Sequence, residues 1–210
     1  WPGVELGKFA IRSGPFFAAS DFIEATISGK GGHAAKPQET IDPTVIASQI
    51  VVALQTIASR RADPVKQVVV SVTSFETSSN AFNVIPQEVK IKGTVRTLDP
   101  EVRDLAEKEF LRITKLTAEA LGGSADAKYT HGYPVMSNSD QQTEFAAKVA
   151  RDVSGKCDEA PLVMGGEDFA YMLEERPGAY ILIGNGDSAP VHHPEYNFND
   201  DAIPFGCSWL

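Results

Sequence analysis

Residues 21–43 read DFIEATISGKGGHAAKPQETIDP, a stretch in which three local patterns follow one another and decide the fold. Apolar and polar residues alternate over residues 21–28, which predicts a strand with one buried face. The glycines that follow predict a flexible turn around His33. Asp42 and Pro43 then predict a helix start, with Asp42 as the N-cap and proline at the first helical position.

Similar patterns continue outward to about residue 133. Spaced apolar residues give the first helix one apolar face, which continues towards Ser59. A second helix begins at Asp99-Pro100, and Gly122-Gly123 ends it. The predicted elements are a strand over 21–28, a helix from 43, strands over 66–75 and 89–98, a helix over 100–121 and a strand over 125–133. This order is that of a ferredoxin-like βαββαβ domain.

The remainder of the chain, residues 134–210, has a different organisation. Helices are predicted over 140–153 and 169–175, and short apolar strands over 162–164 and 179–183. Two short strands do not easily bury a core, so we expect this segment to be part of an α/β domain whose other strands lie upstream of residue 1. The chain lacks an initiator methionine, and we expect both of its ends to be cut from a longer protein.

The composition limits the class of protein. The net charge is −9 and the pI is about 4.9, which argues against nucleic acid as a partner because phosphate binding needs an excess of Lys and Arg. There is no run of about eighteen apolar residues, so no membrane span is predicted. Cys157 and Cys207 are far apart and form no metal-type pair, so we interpret them as reduced thiols of a cytoplasmic protein.

Two segments near the C-terminus contain candidate ligands. The segment VHHPEYNFND (191–200) places His192 beside a second histidine in a polar loop, and neutral imidazole is a common metal ligand. The segment GGEDF (165–169) places Gly165 and Gly166 at a strand end, where glycine allows close approach of a ligand. The alternative for the two acids that follow these glycines is that they cap the next helix.

Other candidates lie in the predicted βαββαβ part. His33 stands between glycines and alanines, where it could donate a hydrogen bond to a substrate oxygen or be a plain surface histidine. Asn83 lies at a strand entry. Arg96 lies in a strand, and its planar fork suits a carboxylate, the alternative being a pair with a surface glutamate. His131, at a strand end with no evident partner, is assigned no function.

These segments together resemble one family. GKGGHAAKPQETIDP, NAFNVIP, KGTVRTLDP, MGGEDF and VHHPEYNFND occur in this order and span nearly the whole chain. They resemble the dinuclear metal-dependent amidohydrolases related to aminoacylase, hippurate hydrolase and auxin-conjugate hydrolases. The resemblance implies an α/β fold in which residues 1–18 are a connector, 19–133 a ferredoxin-like lid and dimerisation domain, and 134–210 the C-terminal part of a metallo-hydrolase catalytic domain.

The resemblance also implies functions for single residues. His192 corresponds to the last metal ligand, and His33 to a lid histidine that stabilises the oxyanion in the partner subunit's active site. Asn83 and Arg96 correspond to residues that hold the substrate's carbonyl or carboxylate, and Gly165 and Gly166 to a loop lining the substrate site. The substrate implied is an N-acyl amino acid, and the assembly a homodimer formed through the lid.

The implied cofactors are two divalent metal ions, with zinc, manganese, nickel and cobalt all compatible. They would activate a bridging water for amide hydrolysis. The remaining ligands and the general base of such enzymes would lie upstream of Trp1, so we expect the longer parent protein to be active and this chain alone to be inactive. The alternative is a non-catalytic dimerisation and substrate-clamping module. The sequence does not choose among acyl groups, amino acids or metals.

Overall fold

The computed structural model describes residues 1–210, which form eleven strands and five α-helices. The strands are β1 (Phe9–Ile11), β2 (Gly14–Phe17), β3 (Ala19–Ser28), β4 (Gly32–His33), β5 (Val68–Thr77), β6 (Val84–Ile85), β7 (Glu88–Thr97), β8 (Ser124–Tyr133), β9 (Met136–Asn138), β10 (Cys157–Glu159) and β11 (Leu182–Ile183). The helices are α1 (Pro43–Thr56), α2 (Pro100–Ala120), α3 (Asp140–Ser154), α4 (Ala170–Glu175) and α5 (Ile203–Trp209). None of the helices combines the length and the apolar character needed to cross a membrane.

The chain divides into two compact units. The central unit comprises Ala18–Val135 and Met164–Gly166. The terminal unit comprises Trp1–Phe17, Met136–Val163 and Glu167–Leu210.

The central unit is a four-stranded antiparallel sheet with two helices on one of its faces. The strand order is β5-β7-β3-β8, so the two strands that flank α1 in sequence, β3 and β5, are not neighbours. Alternate strand residues, among them Ile23, Ile27 and Val95, are buried against Leu54 of α1 and Phe110 of α2. The opposite face carries the other set of strand residues and is largely polar. The order of elements is the one that the sequence predicted.

Both long helices of this unit begin where the sequence predicted. The Thr44 N–H donates to Asp42 Oδ1 at 2.8 Å, which satisfies one of the free amides at the start of α1. Asp99 Oδ1 accepts from Glu101 N–H at 2.9 Å and from Val102 N–H at 3.2 Å at the start of α2. The apolar face of the first helix continues beyond α1 in a π-helical turn over Ile57–Arg61.

The terminal unit has a small sheet and a separate strand pair. β1 is the middle strand of the sheet, parallel to β10 and antiparallel to β11, and β2 pairs with β9. A core forms around Phe16, Phe17, Met136 and Leu182. The first seventeen residues, which the sequence assigned to a connector, therefore contribute two strands and much of the core of this unit.

Two strand predictions in this unit were wrong. Residues 162–164 form no strand, because only one bridge links Val163 to Phe17. Of the predicted strand over 179–183, only Leu182–Ile183 is a strand. The backbone N–H of Tyr180 is satisfied by the side-chain oxygen of Asn138 at 2.7 Å, so it takes no part in a ladder.

Candidate functional site

His33 and Asn83 are brought together by a short antiparallel ladder. β4 pairs with β6 so that His33 lies opposite Val84, and the Ala34 N–H donates to the Asn83 carbonyl at 3.0 Å. The ladder needs glycine beside it, because a Cβ on Gly31 would lie 2.6 Å from the Ile85 carbonyl oxygen. The segments GKGGH and NAFNVIP thus form a single structural feature, which the sequence did not reveal.

The ring of His33 is oriented by its own loop. The Ala35 N–H donates to His33 Nδ1 at 3.1 Å, so in the neutral ring Nε2 carries the proton. The side chain is exposed, as is that of Asn83. This arrangement provides a hydrogen-bond donor that an external oxygen atom can reach.

Arg96 lies on the polar face of the sheet, in a row that runs across three strands. It pairs with Ser20 of β3 on one side and with Val69 of β5 on the other. Its Nη1 atom is buried and has no hydrogen-bond partner, so a glutamate, the alternative partner, does not bind this nitrogen. Buried polar atoms are nearly always hydrogen-bonded in native proteins, so an unpaired guanidinium nitrogen points to a missing acceptor.

Gly165 and Gly166 lie against the same end of the sheet. The Ala18 N–H donates to the Gly165 carbonyl at 3.0 Å. A Cβ on Gly166 would lie 2.8 Å from Ser20 Cβ and 3.1 Å from Tyr133 Cδ2, so the loop approaches β3 more closely than any side chain would allow. Since Ser20 is also the cross-strand neighbour of Arg96, the structure brings these three candidate residues to one place.

The two groups of candidates lie at opposite ends of the central unit. Gly29 N–H donates to the Gln87 carbonyl at 3.0 Å, so the ladder of His33 lies near Glu88, the first residue of β7. Arg96 is eight positions further along β7, a distance of about 27 Å at the rise of an extended strand. A ligand the length of three residues spans about 10 Å, so one such ligand cannot contact both groups of the same chain.

His192 belongs to the terminal unit and has an unusual backbone. It is the only non-glycine residue with positive φ, at 70°, a conformation that bulky residues adopt rarely. Its neighbour His193 is engaged within the loop, where Nδ1 accepts the Glu195 N–H at 3.1 Å. His192 has no such bond and is exposed, so either of its ring nitrogens is open to an external ligand, whereas His193 keeps only Nε2 for one.

A complete metal site is not present in this chain. No group of three or more His, Cys, Asp or Glu side chains is placed so that it could hold a metal ion. Structural and catalytic zinc sites need three or four protein ligands. His192 could contribute one ligand, and no chemical step of this chain is assigned to a metal.

The Glu167 carboxylate contacts both the start of the next helix and a tyrosine: Oε1 accepts from the N–H of Phe169, the N-cap residue of α4, at 3.5 Å. Helix α4 begins only at Ala170 without a side-chain cap, and Glu167 Oε2 accepts from the Tyr180 hydroxyl at 3.2 Å. Burial and the carboxylate raise the pKa of Tyr180 to about 12. Buried Asn138 in turn donates to the carbonyls of Arg12 and Tyr180 at 2.8 and 2.9 Å. No sequence pattern indicated this network, because its members are far apart in the chain.

His131 has a partner that the sequence did not indicate. Its Nε2 lies 2.8 Å from Glu107 Oε2 on the exposed surface of α2. Both side chains belong to the central unit, and their contact explains the position of His131 without a bound ligand.

Three comparisons relate the chain to known proteins. The profile of peptidase family M20/M25/M40 matches residues 2–210. The chain is 40% identical over 215 residues to an IAA-amino acid hydrolase of Arabidopsis thaliana, and 35% identical over 216 residues to hippurate hydrolase of Campylobacter jejuni. These matches cover 98% and 100% of this chain but 48% and 56% of the two relatives.

A solved structure shows the same likeness. The YXEP protein of Bacillus subtilis, described as a dinuclear metal binding peptidase of the M20 family, matches with a TM-score of 0.83 and 27% identity. The match covers 100% of this chain and 53% of that protein. The chain thus spans about half the length of the relatives that it matches.

Proposed function

We propose that this chain, which belongs to peptidase family M20/M25/M40, is part of a hydrolase that cleaves the amide bond of N-acyl amino acids. The motifs of the sequence predicted this family. Relatives named as hydrolases of an IAA-amino acid and of hippurate support the substrate class. Because the chain spans about half of these relatives, the activity is assigned to the longer protein and not to the 210 residues alone.

The observation that carries the proposal is the unpaired guanidinium nitrogen of Arg96. A free amino-acid carboxylate supplies two acceptor oxygens in the geometry of the arginine fork, and such charge-assisted pairs are stronger than neutral ones. Gly165 and Gly166 pass beside the neighbouring strand, so their backbone lines the same place. We assign Arg96 to the substrate carboxylate and the glycine loop to the wall of the substrate site.

His33 and Asn83 are assigned to the other end of the substrate. The Nε2–H of His33 donates to the oxygen of the scissile carbonyl as negative charge develops on it, and the exposed amide of Asn83 holds that carbonyl. Since about 27 Å separates this end of β7 from Arg96, the two groups serve one substrate only when they come from two copies of the chain. The active assembly is therefore a homodimer.

The central unit is assigned the function of a ferredoxin-like lid and dimerisation domain. Its βαββαβ element order and its β5-β7-β3-β8 sheet support this assignment. The terminal unit is assigned to the catalytic domain of the longer protein, as the part that supplies His192 as one metal ligand.

An activity assay on the full-length protein tests the proposal. We expect hydrolysis of N-acetyl and N-benzoyl amino acids. His33→Ala should lower the turnover number by about a hundredfold or more, because one oxyanion donor is lost. His131→Ala is the matched control, since this exposed histidine of the same unit pairs with Glu107, and we expect wild-type turnover. A full-length protein that hydrolyses none of these amides would favour a non-catalytic clamping module and overturn the proposal.

A further inference from the structure

A cavity of about 320 Å³ lies in the central unit at the Arg96 end of the sheet. Most of its wall is apolar. The apolar lining residues are Ala58, Pro64, Val68, Val69 and Met164. Met164 is the first residue of the segment MGGEDF, whereas the other four were not singled out by the sequence. The cavity has no part in the function proposed above.

Two of these residues place the cavity beside the candidate carboxylate site. Val69 is directly opposite Arg96 in the β5–β7 ladder, and side chains so paired lie on one face of a sheet with Cβ atoms about 5 Å apart. Met164 directly precedes Gly165 and Gly166, the loop that packs on the other cross-strand neighbour of Arg96. The cavity therefore begins next to the side chain of Arg96, about one side-chain length from its guanidinium group.

The charged groups of the wall are already engaged within the chain. Lys66 Nζ lies 2.8 Å from Asp99 Oδ2 and 3.0 Å from Glu101 Oε2. Asp63 Oδ1 accepts the Val65 N–H at 3.1 Å. An occupant of the cavity thus finds a mostly apolar wall, since Lys66 is paired with two carboxylates and the one unpaired charge, Asp63, is exposed to solvent; this favours an apolar group over a charged one.

We infer that this cavity is a specificity pocket for the amino-acid part of the substrate and that it selects apolar side chains. The inference rests on the proposed function, in which Arg96 holds the substrate carboxylate. The side chain of an amino acid branches from the carbon that bears this carboxylate, whereas the acyl group lies beyond the scissile amide. The side chain is thus the substrate group that reaches Val69 and Met164, and a cavity of this volume is large enough for leucine, methionine or phenylalanine.

Steady-state kinetics of the full-length protein on N-acetyl derivatives of glycine, leucine, phenylalanine, aspartate and lysine tests the inference. We expect kcat/KM to be at least about tenfold higher for the leucine than for the glycine derivative, because an apolar pocket discriminates by about tenfold or more for each group it buries. Val69→Phe fills the pocket and should lower the leucine-to-glycine ratio about tenfold. Met164→Ala enlarges it and should raise the phenylalanine-to-leucine ratio.

Val65→Phe is the matched control. It makes the same substitution four residues before Val69, but Val65 is 79% exposed and does not line the cavity, so the leucine-to-glycine ratio should stay at the wild-type value. Thermal unfolding of each variant shows whether it folds. If Val69→Phe does not fold, the phenylalanine-to-leucine ratio of Met164→Ala tests the inference alone.

The possible outcomes distinguish failure of the pocket inference from failure of the proposed function. Hydrolysis with an unchanged leucine-to-glycine ratio in Val69→Phe and an unchanged phenylalanine-to-leucine ratio in Met164→Ala would overturn the pocket and leave the proposed function standing. A wild-type preference for the aspartate or lysine derivative would do the same. Absence of hydrolysis of all five derivatives, with N-benzoyl amino acids also untouched, would overturn the proposed function and the pocket with it.

Discussion

Asp21 of β3 and Arg103 of α2 form a two-point ion pair inside the central unit. Arg103 Nε lies 2.9 Å from Asp21 Oδ2, and Nη2 lies 2.6 Å from Oδ1. The buried carboxylate also accepts from the Tyr129 hydroxyl at 2.8 Å and from the Gly132 N–H at 3.0 Å. One buried charge therefore joins helix α2 to the strands β3 and β8.

Asp21→Asn should lower the free energy of unfolding by about 3–5 kcal/mol, because it leaves the charge of Arg103 without its buried partner. Chemical denaturation monitored by circular dichroism measures the loss. Glu24→Gln on the same strand is the control, since Glu24 forms an exposed pair with Lys128 at 3.5 Å and its loss should cost about 0.5 kcal/mol or less. Similar losses for the two variants would show that the buried Asp21–Arg103 pair contributes no more to the free energy of unfolding than an exposed pair does.

The same carboxylate makes stability depend on pH. Burial acts to raise the pKa of Asp21, but hydrogen bonds from Arg103, Tyr129 and Gly132 outweigh it and hold this pKa below its usual value. A depressed folded-state pKa adds stability that is present above the unfolded-state pKa of about 3.9 and is lost as pH falls through the folded value. The difference in unfolding free energy between wild type and Asp21→Asn should therefore be constant above about pH 5 and shrink below pH 4. A constant difference down to pH 2.5 would contradict this assignment.

The central unit was predictable from sequence because its signals are local. The alternation in β3 and the caps Asp42 and Asp99 each act within a few residues of their own element. The strands of the terminal unit are short, and their partners are distant, as Phe9 with Cys157 shows. A strand of three or four residues has no measurable period, so β1, β2, β9 and β10 were missed.

The sequence nominated the candidate site residues but did not indicate which of them lie together. That Arg96 stands between Ser20 and Val69 depends on strand register, which the sequence alone does not fix. The separation of Arg96 from His33 depends on the same register. The cavity beside Val69 arises from segments that are remote in sequence, so the motif MGGEDF, which contributes Met164, could not indicate it alone.

Gly166→Ala should destabilise the chain by about 1–3 kcal/mol, because the added methyl group would lie 2.8 Å from Ser20 Cβ. Adding Ser20→Gly removes the obstructing carbon and should recover part of the loss, which a double-mutant cycle on unfolding free energies measures. Gly206→Ala in α5 is the control, since the nearest atom there is 3.7 Å away and alanine favours a helix. Equal losses at the two glycines would mean that close packing on Ser20 is not the cause.

Metal retention should distinguish His192 from its neighbour. The purified 210-residue chain, dialysed against trace zinc, manganese, cobalt or nickel, should retain close to no metal by mass spectrometry, because it holds no three-ligand group. In the full-length protein, His192→Ala should lower metal content more than His193→Ala, since the Glu195 N–H occupies His193 Nδ1 and leaves only its Nε2 for a metal. Two metal ions per 210-residue chain, or equal effects of the two variants, would contradict the assignment of His192 as a single ligand.

Complementation between two inactive variants should reveal whether one site uses two chains. His33→Ala and Arg96→Ala are each expected to reduce activity of the full-length protein strongly. If each site takes Arg96 from one copy and His33 from the other, a mixed dimer of the two variants has one intact site and one site lacking both residues. Unfolding and refolding an equal mixture makes half of the dimers mixed, so about a quarter of wild-type activity should return. Refolding each variant alone is the control and should restore none. If light scattering shows dimers but the mixture recovers no activity, both residues would belong to the site of a single chain. That result would contradict the two-chain site, because the length of β7 keeps the two residues too far apart for one small substrate.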